Sequence, residues 1–324
     1  MKYLITGGTG FVGSHLSRSL LASGHEVTSV DISLDGDVVQ ALKNTTDRRK
    51  LKVVKGDVIK KGLLNRLIEA RHPDAIIHLA ALMGEDCGRD STQSIEVNCL
   101  GLARVLESAV HYGVSRVVWA SSIAAGEHRE ADDLDDLPHW ALIYAATMTF
   151  NERLAKVYHD KFNLEVFSLR FPYIYGAGRV RGASFGQKMI VRSLAGKPVR
   201  VPFGDEVVDW LYIDDAVRAI GCALACKSSH RTAYSVGGDL RSVREVADYL
   251  RGLCPGARIE LEPGRTGLTW KSDFHATEAD LGYRPHFSLE DGIRDLQRQT
   301  DSLVNRMPPD PPSIRPPGRR AGAK

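Results

Sequence analysis

Residues 2–13 read KYLITGGTGFVG. The apolar, strand-like run KYLIT passes without a break into a loop with glycines at 7, 10 and 13, and a helical pattern follows at once, with Val12, Leu16, Leu20 and Leu21 on one face. Each glycine meets a different steric demand. Gly7 permits the sharp turn out of the strand, Gly10 lets a ligand approach bare backbone, and Gly13 lets the helix lie close on the sheet. A helix that opens on such a loop, with Phe11 and Val12 in its first turn, presents backbone N–H groups and a partial positive charge suited to a pyrophosphate.

Asp31 is the second signal. It ends the next strand-like run, EVTSVD (26–31), 18 residues past Gly13. A carboxylate there bonds both hydroxyls of a ribose and repels a 2′-phosphate, and no arginine follows it in Ile32, Ser33 and Leu34. Loop and acid together imply a dinucleotide site for NAD rather than NADP. Strand-like runs at 51–57, 75–79, 115–121 and 164–170 alternate with helical patterns at 61–71, 91–112 and 141–160. This alternation predicts an α/β fold with a doubly wound parallel sheet (Rossmann), its crossovers right-handed. The remainder is less regular, with strands expected at 209–213 and 232–236 and helices at 184–195, 242–253 and 288–299. The expected organisation is an NAD-binding domain over 1–175, with later sheet elements near 209–238. A smaller C-terminal lobe over 176–306 is expected to be mostly substrate-binding, and 307–324 to be a disordered proline-rich tail.

Composition narrows the partners. Lys and Arg number 43 against 40 Asp and Glu, a net charge of +3, and no basic cluster is interleaved with aromatics, which argues against a nucleic-acid partner. The cysteines at 87, 99, 222, 226 and 254 are odd in number and scattered, which suits a reducing compartment rather than a disulfide framework. Cys222 and Cys226 lie one helical turn apart in AIGCALAC without neighbouring ligands, so core packing is expected and no metal site. The chain runs from Met1 straight into a strand, and no apolar stretch reaches membrane-spanning length. A cytoplasmic protein without membrane contact is expected.

An ordered series of motifs continues beyond the loop: KGDV (55–58), HLAA (78–81), Asn98, ASS (120–122), Tyr144, RFPYIYG (170–176) and WLYIDDAV (210–217). On these motifs, over about residues 1–300, the sequence resembles the extended short-chain dehydrogenase/reductase family, the NAD-dependent epimerase/dehydratase group. The resemblance implies that Asp57 and Val58 meet adenine and that Leu79, Ala80 and Ala81 pass beside the cofactor backbone. It implies further that Asn98 braces that loop and that Pro172 and Tyr173 face the nicotinamide. Tyr144 would be the acid/base and Ser122 its partner. The reaction it implies moves hydride between a carbinol carbon and nicotinamide while the alcohol proton passes to a tyrosinate.

The sequence departs from the family at one decisive place. The family has a lysine one helical turn past the tyrosine, which stabilises the tyrosinate and bonds the nicotinamide ribose. Here the motif reads Tyr144-Ala145-Ala146-Thr147-Met148, so Met148 stands at that catalytic position with neither charge nor donor. Free tyrosine ionises near pH ~10, and losing a depression of about 3 units costs about 4 kcal/mol, roughly a thousandfold in rate. On the same helix face Asn151 comes next, while Arg153 and Lys156 point elsewhere. Three readings stay open. The charge of oxidised nicotinamide suffices; a cation from another segment (Arg179, Arg181 or Lys188) reaches in; or Tyr144 is not the proton acceptor.

Other departures bear on substrate. Family dehydratases carry Asp-Glu directly after the catalytic hydroxyl residue, and Ile123 and Ala124 stand there instead. Sugar-nucleotide enzymes usually place an arginine for the diphosphate where Val208 precedes Asp209. Arg179, Arg181, Arg265 and Lys271 lie in segments that line the substrate lobe in relatives and are candidates to clamp an anion. The acidic stretch 127–136 reads as a solvated loop. Helices over 91–112 and 141–161 pair into a four-helix bundle in relatives, so a homodimer is expected. The expected function is NAD-dependent oxidation at a carbinol carbon of a small-molecule substrate, a sugar or sugar nucleotide, with re-reduction of that carbon by the same epimerase. The alternatives are a dehydrogenase of a small non-nucleotide hydroxy compound and a non-catalytic NAD-binding regulator.

Overall fold

The computed structural model describes residues 1–34, 36–44, 48–60, 62–125, 139–179, 185–265 and 274–299. The acidic stretch 127–136, Arg181, Lys271 and the proline-rich segment 307–324 lie outside the described residues. The chain opens with β1 (Lys2–Thr6), α1 (Phe11–Ala22), β2 (Glu26–Asp31), α2 (Gly36–Asn44), β3 (Leu51–Lys55), α3 (Leu63–Arg71) and β4 (Ala75–His78). Two short helices, α4 (Glu85–Arg89) and α5 (Ser91–Ser94), a π-helical turn at Ile95–Leu100 and α6 (Gly101–His111) lead to β5 (Arg116–Ser122), α7 (His139–Phe162) and β6 (Glu165–Phe171). Then come β7 (Tyr173–Tyr175), α8 (Phe185–Leu194), β8 (Val199–Val201), β9 (Val207–Tyr212), α9 (Ile213–Ala225) and β10 (Ala233–Ser235). The chain continues through β11 (Asp239–Ser242), α10 (Val243–Leu253), β12 (Ile259–Leu261), α11 (His275–Leu281) and α12 (Leu289–Arg298).

Seven strands form one sheet in the order β10-β6-β5-β4-β1-β2-β3, every neighbouring pair parallel. The first six strands have the Rossmann order, and β10 extends the sheet beyond β6. The strands read as near-continuous apolar runs because both faces are covered. Alternate residues supply two cores. Ile5, Ile77, Val118 and Phe167 face Leu16 and Leu20 of α1 and Ile220 of α9, in a cluster that continues to Leu250, Ile293 and Leu296. Leu4, Val30, Ile76, Val117 and Trp119 face the other way, into the cluster of Leu64, Leu102, Leu106, Met148 and Ala155. One core thus runs from the large sheet through the helices that follow β7, so the later part of the chain is packed onto the sheet without a break.

Two expectations from sequence differ in detail. The strand expected at 209–213 is present as β9, but outside the large sheet: it pairs with β7 in parallel and with β11 antiparallel. The helix expected as one piece over 91–112 is broken. Asp90 caps α5 by accepting the Gln93 amide at 3.0 Å, and the chain widens into a π turn before α6. Such turns concentrate at functional sites, and this one carries Asn98. Cys222 and Cys226 pack against the core beneath the large sheet. Among the described residues no helix is long and apolar enough to cross a membrane.

The join between β5 and β6 matters most for the site, because β5 ends at Ser122. It is reinforced inside the core by Trp119, whose buried indole N–H donates to Ser168 Oγ at 2.7 Å. Ser168→Ala leaves that donor without its partner. The variant is expected to lose about 1–3 kcal/mol of unfolding free energy, measured by denaturant titration.

Candidate active site

All strands of the large sheet point the same way, so β1, β2, β4, β5 and β6 end along one edge. A cleft of about 930 Å³ lies over that edge, near the upper end of ligand-pocket sizes. Its floor at one end is the glycine loop. Gly7 sits in the left-handed region (φ 69°), and a Cβ there would come within 2.8 Å of Leu79 C and Ala80 N. A Cβ on Gly13 would lie 2.2 Å from the Gly7 carbonyl oxygen, so Gly13 allows α1 to close on the loop itself rather than on the sheet. Gly8 is needed as well. Its Cβ would fall 2.0 Å from Ser29 Oγ, a contact 21 residues away that the glycine spacing did not reveal. Gly10 caps α1 without a side-chain bond, which leaves the first-turn amides of Phe11, Val12 and Gly13 without intrahelical acceptors and at the cleft wall.

Asp31 lines the same end. Its two oxygens accept the Thr9 amide (3.2 Å) and the Ser33 amide (3.4 Å), and Thr9 Oγ1 donates to the Ser33 carbonyl at 3.0 Å. A carboxylate has about four acceptor positions, so room for ribose hydroxyls remains. Thr9 thus joins the loop to Asp31, a role the sequence motif did not reveal. Asp57 turns one oxygen into its own loop, accepting the Ile59 amide at 3.1 Å, and Val58 is buried beside it at the cleft. Leu79, Ala80 and Ala81 form the wall beyond β4. Asn98 stands behind that wall, buried, and clasps Leu82 in both directions: its Oδ1 accepts the Leu82 amide (2.8 Å) and its Nδ2 donates to the Leu82 carbonyl (3.1 Å). The same Nδ2 reaches Thr147 Oγ1 at 3.3 Å, and Thr147 in turn donates to the Tyr144 carbonyl at 2.8 Å. The carbonyl of Asn98 accepts from Asn151 Nδ2 at 3.0 Å.

Tyr144, on α7, and Ser122, at the end of β5, both line the cleft. The Ala124 amide donates to Ser122 Oγ at 3.2 Å and orients the hydroxyl. Burial pushes the Tyr144 phenol up to about 12. The Ser122 bond and the Arg179 guanidinium act against that rise, and the buried Cys87 thiol adds to it. Two turns further along α7, Glu152 holds the helix to the sheet. It accepts Ser121 Oγ at 2.6 Å and pairs with Arg170 of β6 at 2.5 Å, with both side chains largely buried.

Met148 is not part of the cleft wall. It is 1% exposed and belongs to the apolar core beneath Tyr144. Of the cations considered from sequence, Arg179 lines the cleft, whereas Lys188 and the exposed Arg265 do not. Pro172 and Tyr173 line it too. The Tyr173 hydroxyl accepts the Gln187 amide at 3.0 Å, and its ring packs edge-on against Trp210 at 5.1 Å. The far end is bordered by Phe185, Phe203, Glu206, Val208 and Asp209. Asp209 accepts the Gly238 amide at 2.8 Å, and Phe203 holds a left-handed φ of 61°, which costs a residue with a side chain about 1 kcal/mol or more.

A cradle that any Cβ would fill, open helix amides and a carboxylate at the end of β2 are the features a dinucleotide needs. The model of the NAD dependent epimerase/dehydratase family matches residues 3–237. The chain belongs to the NAD-dependent epimerase/dehydratase family. Like its relatives, it is an enzyme of the extended short-chain dehydrogenase type with NAD as cofactor. UDP-glucuronate 4-epimerase 1 of Arabidopsis thaliana is 32% identical over 92% of this chain and 76% of its own length. A dTDP-glucose 4,6-dehydratase of an Actinoplanes strain is 30% identical over 90% of this chain and 95% of its own. Among solved structures, UDP-glucuronic acid 4-epimerase from Bacillus cereus, in complex with UDP-glucuronic acid and NAD, superposes with a TM-score of 0.78. It is 26% identical, over 94% of this chain and all of that one (100%). The family relationship makes the glycine cradle the most direct place to probe. Gly13→Ala forces a Cβ against the Gly7 carbonyl. It is expected to weaken NAD binding at least about tenfold, about 1.4 kcal/mol, by calorimetric titration.

Proposed function

We propose that the enzyme epimerises a sugar or sugar nucleotide by oxidising and then re-reducing one carbinol carbon. Tyr144 takes and returns the alcohol proton, and Ser122 bonds the same oxygen. The presence of Ser122 and Tyr144 in one cleft with the glycine loop and Asp31 carries this reading. The loop at 7–13, Asp31, Asp57, Val58 and the wall at 79–81 hold NAD, and Pro172 and Tyr173 border its nicotinamide end. Bound NAD supplies a hydride acceptor that becomes the donor for the return step. Ser122 fixes the position of the substrate oxygen, Asn98 and Thr147 hold the Leu82 wall to α7, and Glu152 locks α7 on the sheet. Elimination of water is disfavoured, because Ile123 and Ala124 offer no acid or base at the places where dehydratases of the family carry Asp-Glu. The relatives act on sugar nucleotides, which supports that substrate class.

A second reading, a dehydrogenase of a small non-nucleotide hydroxy compound, is favoured by Val208. It presents an apolar side chain to the cleft where sugar-nucleotide enzymes usually carry an arginine. Turnover separates the readings. With UDP-glucose or UDP-glucuronate the epimerase forms the 4-epimer without net absorbance change at about 340 nm. Steady accumulation of NADH with a simple hydroxy compound selects the dehydrogenase. NAD binding with neither product selects a non-catalytic regulator.

The base form of Tyr144 is the phenolate, and burial raises the phenol, so kcat/KM is expected to climb with pH through the neutral range to an alkaline optimum. A kcat/KM that stays flat from neutral to alkaline pH would refute the assignment. Tyr144→Phe lowers kcat about a thousandfold with NAD affinity retained.

We also infer a homodimer built on α7 and the segment over α5 and α6. Phe150 and Val157 are each 52% exposed and share a face of α7, while Ile95 (55%) and Leu100 (40%) are exposed on the π turn packed beside it. Phe150→Glu is expected to yield monomers in sedimentation velocity, where the parent chain sediments as a dimer.

A further inference from the structure

The turn 176–178 follows β7 and leads into Arg179, and both Gly178 and Arg179 line the cleft. It is held from two sides. Gln187 of α8, itself buried, clasps Gly176 in both directions: Oε1 accepts the Gly176 amide at 3.1 Å and Nε2 donates to the Gly176 carbonyl at 2.8 Å. From the other side His15 of α1 donates from Nε2 to the Ala177 carbonyl at 2.9 Å. Arg18 gives an N–H to His15 Nδ1 at 3.0 Å, and a carboxylate oxygen of Asp214 stands 3.9 Å from the same nitrogen. A guanidinium only donates, so Nδ1 is bare and the ring proton sits on Nε2, where the carbonyl needs it. Burial holds His15 below the usual histidine range, and Arg18 acts the same way against the Ala177 carbonyl and Asp214, so the ring is neutral at neutral pH. Phe11 completes the contact. It lies in the first turn of α1, lines the cleft, and packs its ring edge-on against His15 at 5.7 Å. A Cβ on Gly176 would lie 3.6 Å from the Phe11 ring and collide with Ile213 at the start of α9, so only a glycine lets the turn settle there.

We propose that His15 is a positioning residue that carries the effect of NAD from the glycine loop to the turn after β7, so that NAD seated at one end of the cleft steadies the other. This rests on the seating of NAD at residues 7–13 proposed above. Phe11 and the open amides belong to the first turn of α1, and His15 follows in the next turn of the same helix. NAD removes motion from that first turn, and a helix moves as one body over so short a distance. The ordering is then already in place at Ala177, which is bonded to the same helix, so Gly178 and Arg179 are held where a substrate meets them. By linkage the coupling runs both ways: a substrate group that packs on this turn tightens NAD by the same factor.

Hydrogen–deuterium exchange followed by mass spectrometry tests this on the full chain with NAD alone. In the parent, NAD is expected to slow exchange over 174–179 at least about threefold, besides the slowing at 7–13 that its seating produces. His15→Phe keeps a ring against Phe11 and removes the donor. It is expected to lose the NAD-dependent slowing over 174–179 and to keep it at 7–13. His15→Gln, which restores an N–H donor, regains most of it. A merely structural role for His15 would raise exchange over 174–179 equally with and without NAD, so equal NAD-dependent slowing there in the parent and His15→Phe overturns the proposal. So does a parent in which NAD slows exchange at 7–13 and leaves 174–179 unchanged, a result that keeps the seating of NAD intact. A parent that binds NAD by calorimetry without slowing at 7–13 removes the seating, and the proposal with it. If His15→Phe does not fold, Arg18→Met, at an exposed position, decides. Without that donor the ring proton is no longer confined to Nε2, and the slowing over 174–179 falls. An unchanged slowing in Arg18→Met overturns the proposal.

Discussion

The Gly7 carbonyl oxygen occupies the space in which a side chain on Gly13 would begin, 2.2 Å from where its Cβ would be. That single contact lets α1 start directly above the end of β1, so its first amides open into the cleft rather than a side chain's width away. The same carbonyl accepts the Gly10 amide at 3.1 Å, and Gly7 itself abuts the backbone of Leu79 and Ala80. The exits of β1 and β4 and the start of α1 therefore touch through main chain alone. No rotamer change relaxes such a contact, and a close-packed interior gives the backbone little room to move. The glycine-loop end of the cleft is rigid for this reason, and Asp31 is tied to it through Thr9.

The other half of the site is organised by α7. The helix carries Tyr144 into the cleft and is pinned two turns on by Glu152, which gathers Ser121 and Arg170 from adjacent strands. Buried ion pairs of this kind contribute modestly to net stability, because desolvation offsets attraction. Their value here is directional. Ser121 precedes Ser122 on β5, so the group that fixes the rotation of α7 also fixes the strand end that carries the tyrosine's partner. Met148, between the two, is left free to be an ordinary core residue.

Much of the fold was legible because parallel strands buried on both faces leave apolar runs, and YLI (3–5), AIIH and VVWA (117–120) are such runs, while EVTSVD is marked by its β-branched residues. Loop glycines at 7 and 13 were legible because the left-handed φ of Gly7 and the approach of Gly13 to the Gly7 carbonyl are local demands, although Gly7 also abuts Leu79 and Ala80. Gly8 was not, since its need arises from Ser29 on the neighbouring strand. The π turn at 95–100 was hidden, because one extra residue in a helical turn scarcely disturbs an apolar stripe read at i, i+3 and i+4. The sheet to which β9 belongs was hidden too, since strand pairing depends on β7 and β11, distant in sequence. Among the cations beyond Met148, the sequence offered several and no means to choose. Arg179 is distinguished by its place at the cleft and by the aromatic platform at Tyr173, which forms once β7, α8 and β9 come together.

The clasp of Asn98 on Leu82 sets a scale for the whole site. The amide and the carbonyl of Leu82 are held by one side chain, which is itself tied to Thr147 and Asn151 of α7. The wall at Leu82 and the helix that carries Tyr144 are therefore members of one truss, and neither shifts without breaking several buried bonds. The truss acts as a gauge block: the gap it sets is the same at the outset of a catalytic cycle and at its close. For the oxidation and return proposed above, a gap that does not depend on which way the electrons last moved keeps the outward and homeward journeys equally short.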